Sequence, residues 1–206
     1  AASDVYKRQM QQKHESLEEC ARRVRYDFFA EVSDGKKLAT AHNSNDCAET
    51  VLLNLMRGTG LKGLCGVPPV RGNIIRPLIF CTREEVEEYC QSRGLSWVTD
   101  KTNLSTDYTR NKIRHIILPE MLKINGSLFS TMNRMEQSLR EDSDFLDDMA
   151  RQALSEAETT VRLRTPGEED IWKLQPAWSA EKLAKLPKPV QSRAIKLILQ
   201  LSLIHI

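Results

Sequence analysis

Apolar residues recur at spacings of three and four between Glu15 and Val32, at Leu17, Cys20, Ala21, Val24, Phe28 and Phe29, which predicts an amphipathic helix. Ser33-Asp34-Gly35 ends it. Lys37–Ala41 is a short apolar run and a candidate buried strand. A polar turn at His42–Asn45 follows, then a second helix from about Asp46 to Met56, broken by Gly58 and Gly60. Leu61–Gly72 reads as loop, with Gly63, Gly66, Pro68, Pro69 and Gly72. Ile74–Phe80 offers a further strand. Thr82-Arg83-Glu84-Glu85 has the form of a capping box and opens a helix that stops at Gly94. Leu95–Val98 is expected to be extended and Asp100–Asp107 to be polar loop. Helix, strand, polar turn, helix predicts alternating α/β architecture.

The pattern then changes. Tyr108–Leu118 is a basic helix, expected to stop at Pro119. Ser127 to about Glu158 is one long helical pattern, apolar at Leu128, Met132, Met135, Leu139, Leu146 and Met149, with an acidic outer face around Glu141–Asp148. Thr160–Pro166 is a candidate strand and the remainder, including Val190–Gln200, reads as helix. This places a domain boundary near Ile124, between an α/β part over 10–124 and a mainly helical part over 125–200. Ala1–Gln9 and Leu201–Ile206 match no flanking pattern and resemble translated adapter sequence. They are set aside as non-native ends, and the natural chain is expected to extend beyond both.

Composition adds little direction. Hydrophobic residues at 40% and charged residues at 28% are ordinary for a globular protein, and a net charge of +2 neither requires nor excludes a nucleic-acid partner. The five cysteines (Cys20, Cys47, Cys65, Cys81, Cys90) contain no C-x-x-C pair, which argues against a zinc site or a disulfide framework and for free thiols in a reducing cytoplasm. No run approaches the ~20 apolar residues that span a bilayer.

Three segments carry candidate chemistry. His42-Asn43-Ser44-Asn45-Asp46-Cys47-Ala48-Glu49-Thr50 lies where a strand hands over to a helix, the place where open α/β sheets bind ligands and where free N–H groups suit a nucleotide or phosphate. The plainer reading makes Asp46 the helix cap and Glu49 the closing residue of a capping box. Arg57-Gly58-Thr59-Gly60-Leu61-Lys62-Gly63-Leu64 combines glycines with positive charge, yet is no Walker A loop; a helix end followed by turns is the alternative. Asp100-x-x-Asn103 precedes Tyr108–His115, in which Arg110 and Arg114 share a helix face. Paired guanidiniums suit phosphate oxygens, or they join an ion network with Asp100 or Asp107.

Four stretches in series, RRVRYDFF, ATAHNSNDCAETVLLNLMRGTGLKGLCGVPPVRG, IIRPL and GLSWVTDKTNLSTDYTRNKIRHIILP, resemble the tRNA(Ile)-lysidine synthase family of the PP-loop, or N-type ATP pyrophosphatase, group. The resemblance covers about Ser16–Pro119 strongly and weakens beyond. It implies a partial parallel-sheet, Rossmann-like nucleotide-binding domain followed by the helical domain. It implies an ATP- and Mg²⁺-dependent ligase in the cytoplasm, away from membranes. Such enzymes adenylate the wobble cytidine of an isoleucine tRNA, and free L-lysine then displaces AMP. A homodimer is left open. Carried over by position, Asp46 and Arg110 are the catalytic candidates, with Asp46 contacting a metal or the lysine amine. His42, Glu49, Arg57, Gly58 and Gly60 are the nucleotide-binding candidates. Arg76, Asp100, Asn103, Asn111 and Arg114 are the substrate-binding candidates, and no protein metal cage is assigned.

Two departures stand out. Some family members have H-H-x-D-D-Q where this chain has His42–Cys47, so the first acidic residue of that pair is Asn45 here. The family's phosphate loop, S-G-G-x-D-S, has no counterpart in the sequence. The chain by itself is therefore expected to be an inactive fragment. The competing reading is a non-catalytic RNA-binding helical module or a sibling PP-loop enzyme.

Overall fold

The computed structural model describes residues 17–97, 109–164 and 172–203. Asp100 and Asn103 lie outside the described residues, as does the expected loop between them. The chain divides into two compact units, one of residues 1–53 with 66–133 and the other of 54–65 with 134–206.

In the first unit α1 (Leu17–Ser33) ends where Asp34 and Gly35 take φ of 44° and 74°. The sheet is short and mixed. β1 (Leu38–Ala39) runs parallel to β3 (Ile74–Ile75), and β2 (Val70–Arg71) is antiparallel to β3, in the order β1-β3-β2. β2 falls in a stretch expected to be loop. Gly72, at φ 60°, reverses the chain and brings Val70 opposite Ile75. The strand expected over Ile74–Phe80 stops at Ile75, because Pro77 cannot donate to a ladder and turns follow to Phe80.

α2 (Ser44–Met56) follows β1, and its Cys47, Ala48 and Val51 are buried, as are Ile74, Ile79, Ile113 and Leu118 of the same unit. α4 (Arg83–Ser92) opens on the expected capping box: Thr82 Oγ1 accepts from Glu85 N at 3.2 Å, and Thr82 N donates to Glu85 Oε2 at 2.7 Å. Its last turn closes at Gly94, φ 63°.

The basic segment does not stop at Pro119. α5 (Thr109–Lys112) passes through a π turn (Ile113–Ile117) into α6 (Leu118–Ile124), with Pro119 in the first turn of α6. A proline is tolerated there because the first N–H groups of a helical turn lack intrahelical partners. The widened turn sends Leu118 N to Ile113 O, five residues back.

The second unit contains α3 (Leu61–Leu64), most of α7 (Leu128–Ala157), a hairpin of β4 (Glu158–Arg164) with β5 (Trp172–Trp178), α8 (Ala180–Ala184) and α9 (Lys188–Leu203). Residues 172–178 are strand where the sequence pattern predicts helix. Pro176 is the reason: it is excluded from a helix interior but acceptable on the edge of a two-stranded ladder, where it faces Thr160. Ala150 and Leu154 of α7 meet Val190 and Ala194 of α9, flanked by Trp178, Leu183 and Leu197. The buried stripe of α7 is thus displaced from the expected one, since Met135 and Met149 are exposed while Glu136 and Ser143 are buried.

Candidate functional site

The polar cluster of the first unit is built on the start of α2. Asn43, not Asp46, is the helix cap: Asn43 Oδ1 accepts from Asp46 N at 3.1 Å, and Asp46 Oδ2 accepts from Asn43 N at 3.1 Å. The helix begins two residues earlier than expected, and the reciprocal box uses Asn43 and Asp46 rather than Asp46 and Glu49. Asn45 Oδ1 caps the next helix by accepting from Arg83 N at 2.9 Å, and Ser44 Oγ donates to Cys81 O at 2.9 Å. The starts of α2 and α4 are therefore stitched together.

This frees Glu49. Its side chain is completely buried, a position that a carboxylate holds only with charged partners. Arg114 supplies a two-pronged contact, Nε to Oε1 at 2.5 Å and Nη2 to Oε2 at 2.9 Å. Arg110 Nε adds a bond to Oε2 at 3.2 Å, and its Nη2 donates to Thr50 Oγ1 at 2.9 Å. Hydrogen bonding to Glu49 raises the Arg114 pKa above its ordinary value, outweighing the opposing effect of burial. Arg114 Nη2 also lies 3.7 Å from Asp46 Oδ1. The arginine pair thus finds its counter-charge on α2, and the cluster of Asp46, Glu49, Arg110 and Arg114 sums to zero formal charge.

A cavity of about 260 Å³ opens beside the cluster. Asn43, Asn45, Asp46, Glu49, Arg83, Glu84, Arg114 and His115 contribute its polar wall; Leu118, Pro119, Leu122 and Phe129 contribute its apolar wall. Arg83, Glu84 and His115 are not among the residues to which the sequence reading gives a site role. The available signal is the helical recurrence of 114, 115, 118 and 122 on one face. Glu49 is committed to the arginines, which leaves Asp46, partly exposed, as the more open carboxylate.

The remaining candidates among the described residues are not part of this lining. His42 stands just beyond β1, its Nδ1 at 3.0 Å from Thr40 Oγ1. Asn111 is half-buried in α5. Arg76 follows β3, is 4% exposed, and its Nη1 donates to Pro68 O at 2.7 Å, while its buried Nε has no hydrogen-bond partner among the described residues. It therefore braces the double-proline loop. Arg57, Gly58 and Gly60 are exposed and belong to the second unit; Gly58 takes φ 73° as α2 ends, and Gly60 precedes α3. Among the described residues no three His, Cys, Asp or Glu side chains converge as a metal cage.

A parallel strand pair followed by a helix start and a charged cluster is an α/β arrangement, and open α/β sheets bind ligands at that edge. Residues 2–121 match the PP-loop domain, and the chain belongs to that family. Three relatives carry the name tRNA(Ile)-lysidine synthase. The one from Clostridioides difficile is 48% identical over 137 residues, covering 64% of this chain and 30% of the relative. That from Thermosipho africanus is 42% identical over 159 residues, 76% and 37%. That from Bacillus subtilis is 34% identical over 201 residues, 92% and 39%. The chain thus spans about a third of the length of these relatives.

Proposed function

We propose that this protein is an ATP-dependent ligase that joins free lysine to the wobble cytidine of an isoleucine tRNA. The observation that carries the reading is the likeness to lysidine synthases, together with the PP-loop match over residues 2–121, which contains the charged cluster. The cytidine C2 oxygen attacks the α-phosphorus of ATP and pyrophosphate departs, which turns that oxygen into a leaving group. The neutral ε-amine of lysine attacks C2 and gives up a proton, and AMP departs with the oxygen.

The cavity suits the amino acid. Leu118, Leu122 and Phe129 offer apolar surface to a methylene stem, while Asp46 and Glu84 offer carboxylates to ammonium groups and Arg83 a cation to the carboxylate. Asp46 orients the incoming amine. Glu49 holds Arg110 and Arg114 in place, so that the guanidinium N–H groups not bound to it are fixed for the developing phosphate charge. Of the other candidates, His42 serves the nucleotide and Asp100, Asn103 and Asn111 the substrates, while Arg57, Gly58 and Gly60 belong to the second unit and Arg76 is committed to the double-proline loop. Magnesium comes with the triphosphate, and among the described residues no three His, Cys, Asp or Glu side chains form a cage for it. The helical stretch beyond residue 133 serves tRNA binding.

The test is lysidine formation by the full-length gene product with ATP, Mg²⁺, labelled lysine and an isoleucine tRNA transcript bearing cytidine at the wobble position. Incorporation that is lost in Asp46→Asn and Arg110→Ala is expected. A folded full-length protein that incorporates no lysine overturns the reading.

A further inference from the structure

Thr50 sits one turn beyond Asp46 on α2 and is half-buried. Its hydroxyl donates to Asp46 O at 2.8 Å, and its oxygen accepts from Arg110 Nη2 at 2.9 Å. The proton's direction is unambiguous, because a carbonyl oxygen only accepts and a guanidinium only donates. The hydroxyl therefore has its lone pairs turned toward Arg110. Arg110 meets Glu49 through Nε at 3.2 Å, a looser hold than the two-pronged grip of Arg114 at 2.5 and 2.9 Å. A long contact lets a planar fork swing, and a second anchor on the adjacent residue limits that swing.

We infer that Thr50 is a positioning residue, which fixes the Arg110 guanidinium by accepting from Nη2 while its own proton is committed to the Asp46 carbonyl. The inference rests on the lysidine reading for what Arg110 does, though not for how Arg110 is held. Thr50 acts through Arg110 and touches no reacting atom.

Two hydroxyl-free variants separate this role from simple stability. Thr50→Val keeps the shape; Thr50→Ala favours the helix, so the two do not share one folding defect. Thr50→Ser keeps the hydroxyl. In full-length protein with thermal midpoints checked, both hydroxyl-free variants are expected to lower kcat for lysidine formation about tenfold, the scale of one lost hydrogen bond to a charged group. The serine variant is expected to stay within about twofold of the parent, since it retains that bond. A serine variant as poor as valine overturns the inference. A second readout does not depend on activity: proton exchange at Arg110 Nε, followed by NMR, accelerates in the valine variant and not in the serine variant. Equal exchange in the two overturns the inference even in an active enzyme. A parent that incorporates no lysine sinks the ligase reading, and the exchange measurement then decides the Thr50 contact alone.

Discussion

At the scale of single residues the molecule concentrates its electrostatic risk on Glu49. A carboxylate with no exposed surface, held by two half-buried arginines, is stable only as a set. Glu49→Gln keeps the shape and removes the charge, leaving Arg110 and Arg114 facing each other. The expected loss of stability is on the order of 2–4 kcal/mol, less than for a wholly buried trio because both arginines reach solvent. Urea unfolding of the variant measures it. Cys65 is the second residue with a consequence. It is 5% exposed and burial pushes its thiol above the ordinary value of 9.0. The unfolded chain therefore releases this proton first as pH rises. The thiol's contribution to stability is full below the ordinary thiol range and declines as pH climbs through it. Denaturant midpoints between neutral and alkaline pH are expected to fall in the parent and to flatten in Cys65→Ala.

At the scale of elements, what is legible in the sequence is what nearest neighbours decide. The Thr82–Glu85 box involves four consecutive residues, and it forms as read. Thr82→Ala is expected to cost about 1 kcal/mol, measurable as a lower thermal midpoint. The start of α2 misleads because two acceptable boxes overlap, and Asn43 takes the cap that Asp46 offers on paper. The arginine pair is visible by its spacing, but its partner is not. Glu49 lies 61 and 65 residues from Arg110 and Arg114, and no local pattern encodes such a distance. β5 escapes notice for the same reason in reverse: Trp172, Leu174, Pro176 and Trp178 alternate, but a seven-residue strand declares itself only beside β4.

At the scale of the whole molecule, α2 and α7 each contribute residues to both compact units, so two of the three unit boundaries run through helices and one, after Cys65, through a loop. A division placed at Ile124 follows the sequence's change of composition, whereas packing follows the side chains. In the second unit Ala150 and Ala194 are fully buried where α7 and α9 meet, packed with Leu154 and Val190. Ala194→Leu is expected to cost about 1–3 kcal/mol by overpacking. Hydrogen exchange is expected to quicken along α9 while the amides of Cys47–Val51 keep their protection.

The π turn at Ile113–Ile117 has a meaning for evolutionary comparison. Such a turn is an α-helix carrying one residue too many. Losing that residue would leave the helix intact but rotate everything after it by about 100°, the angular step of one α-helical residue. Leu118 and Leu122 would swing off the cavity wall and Arg114 would lose its register with Glu49. A one-residue gap between 113 and 117 in a distant relative would therefore mark a rebuilt pocket, however well the flanking motifs agree.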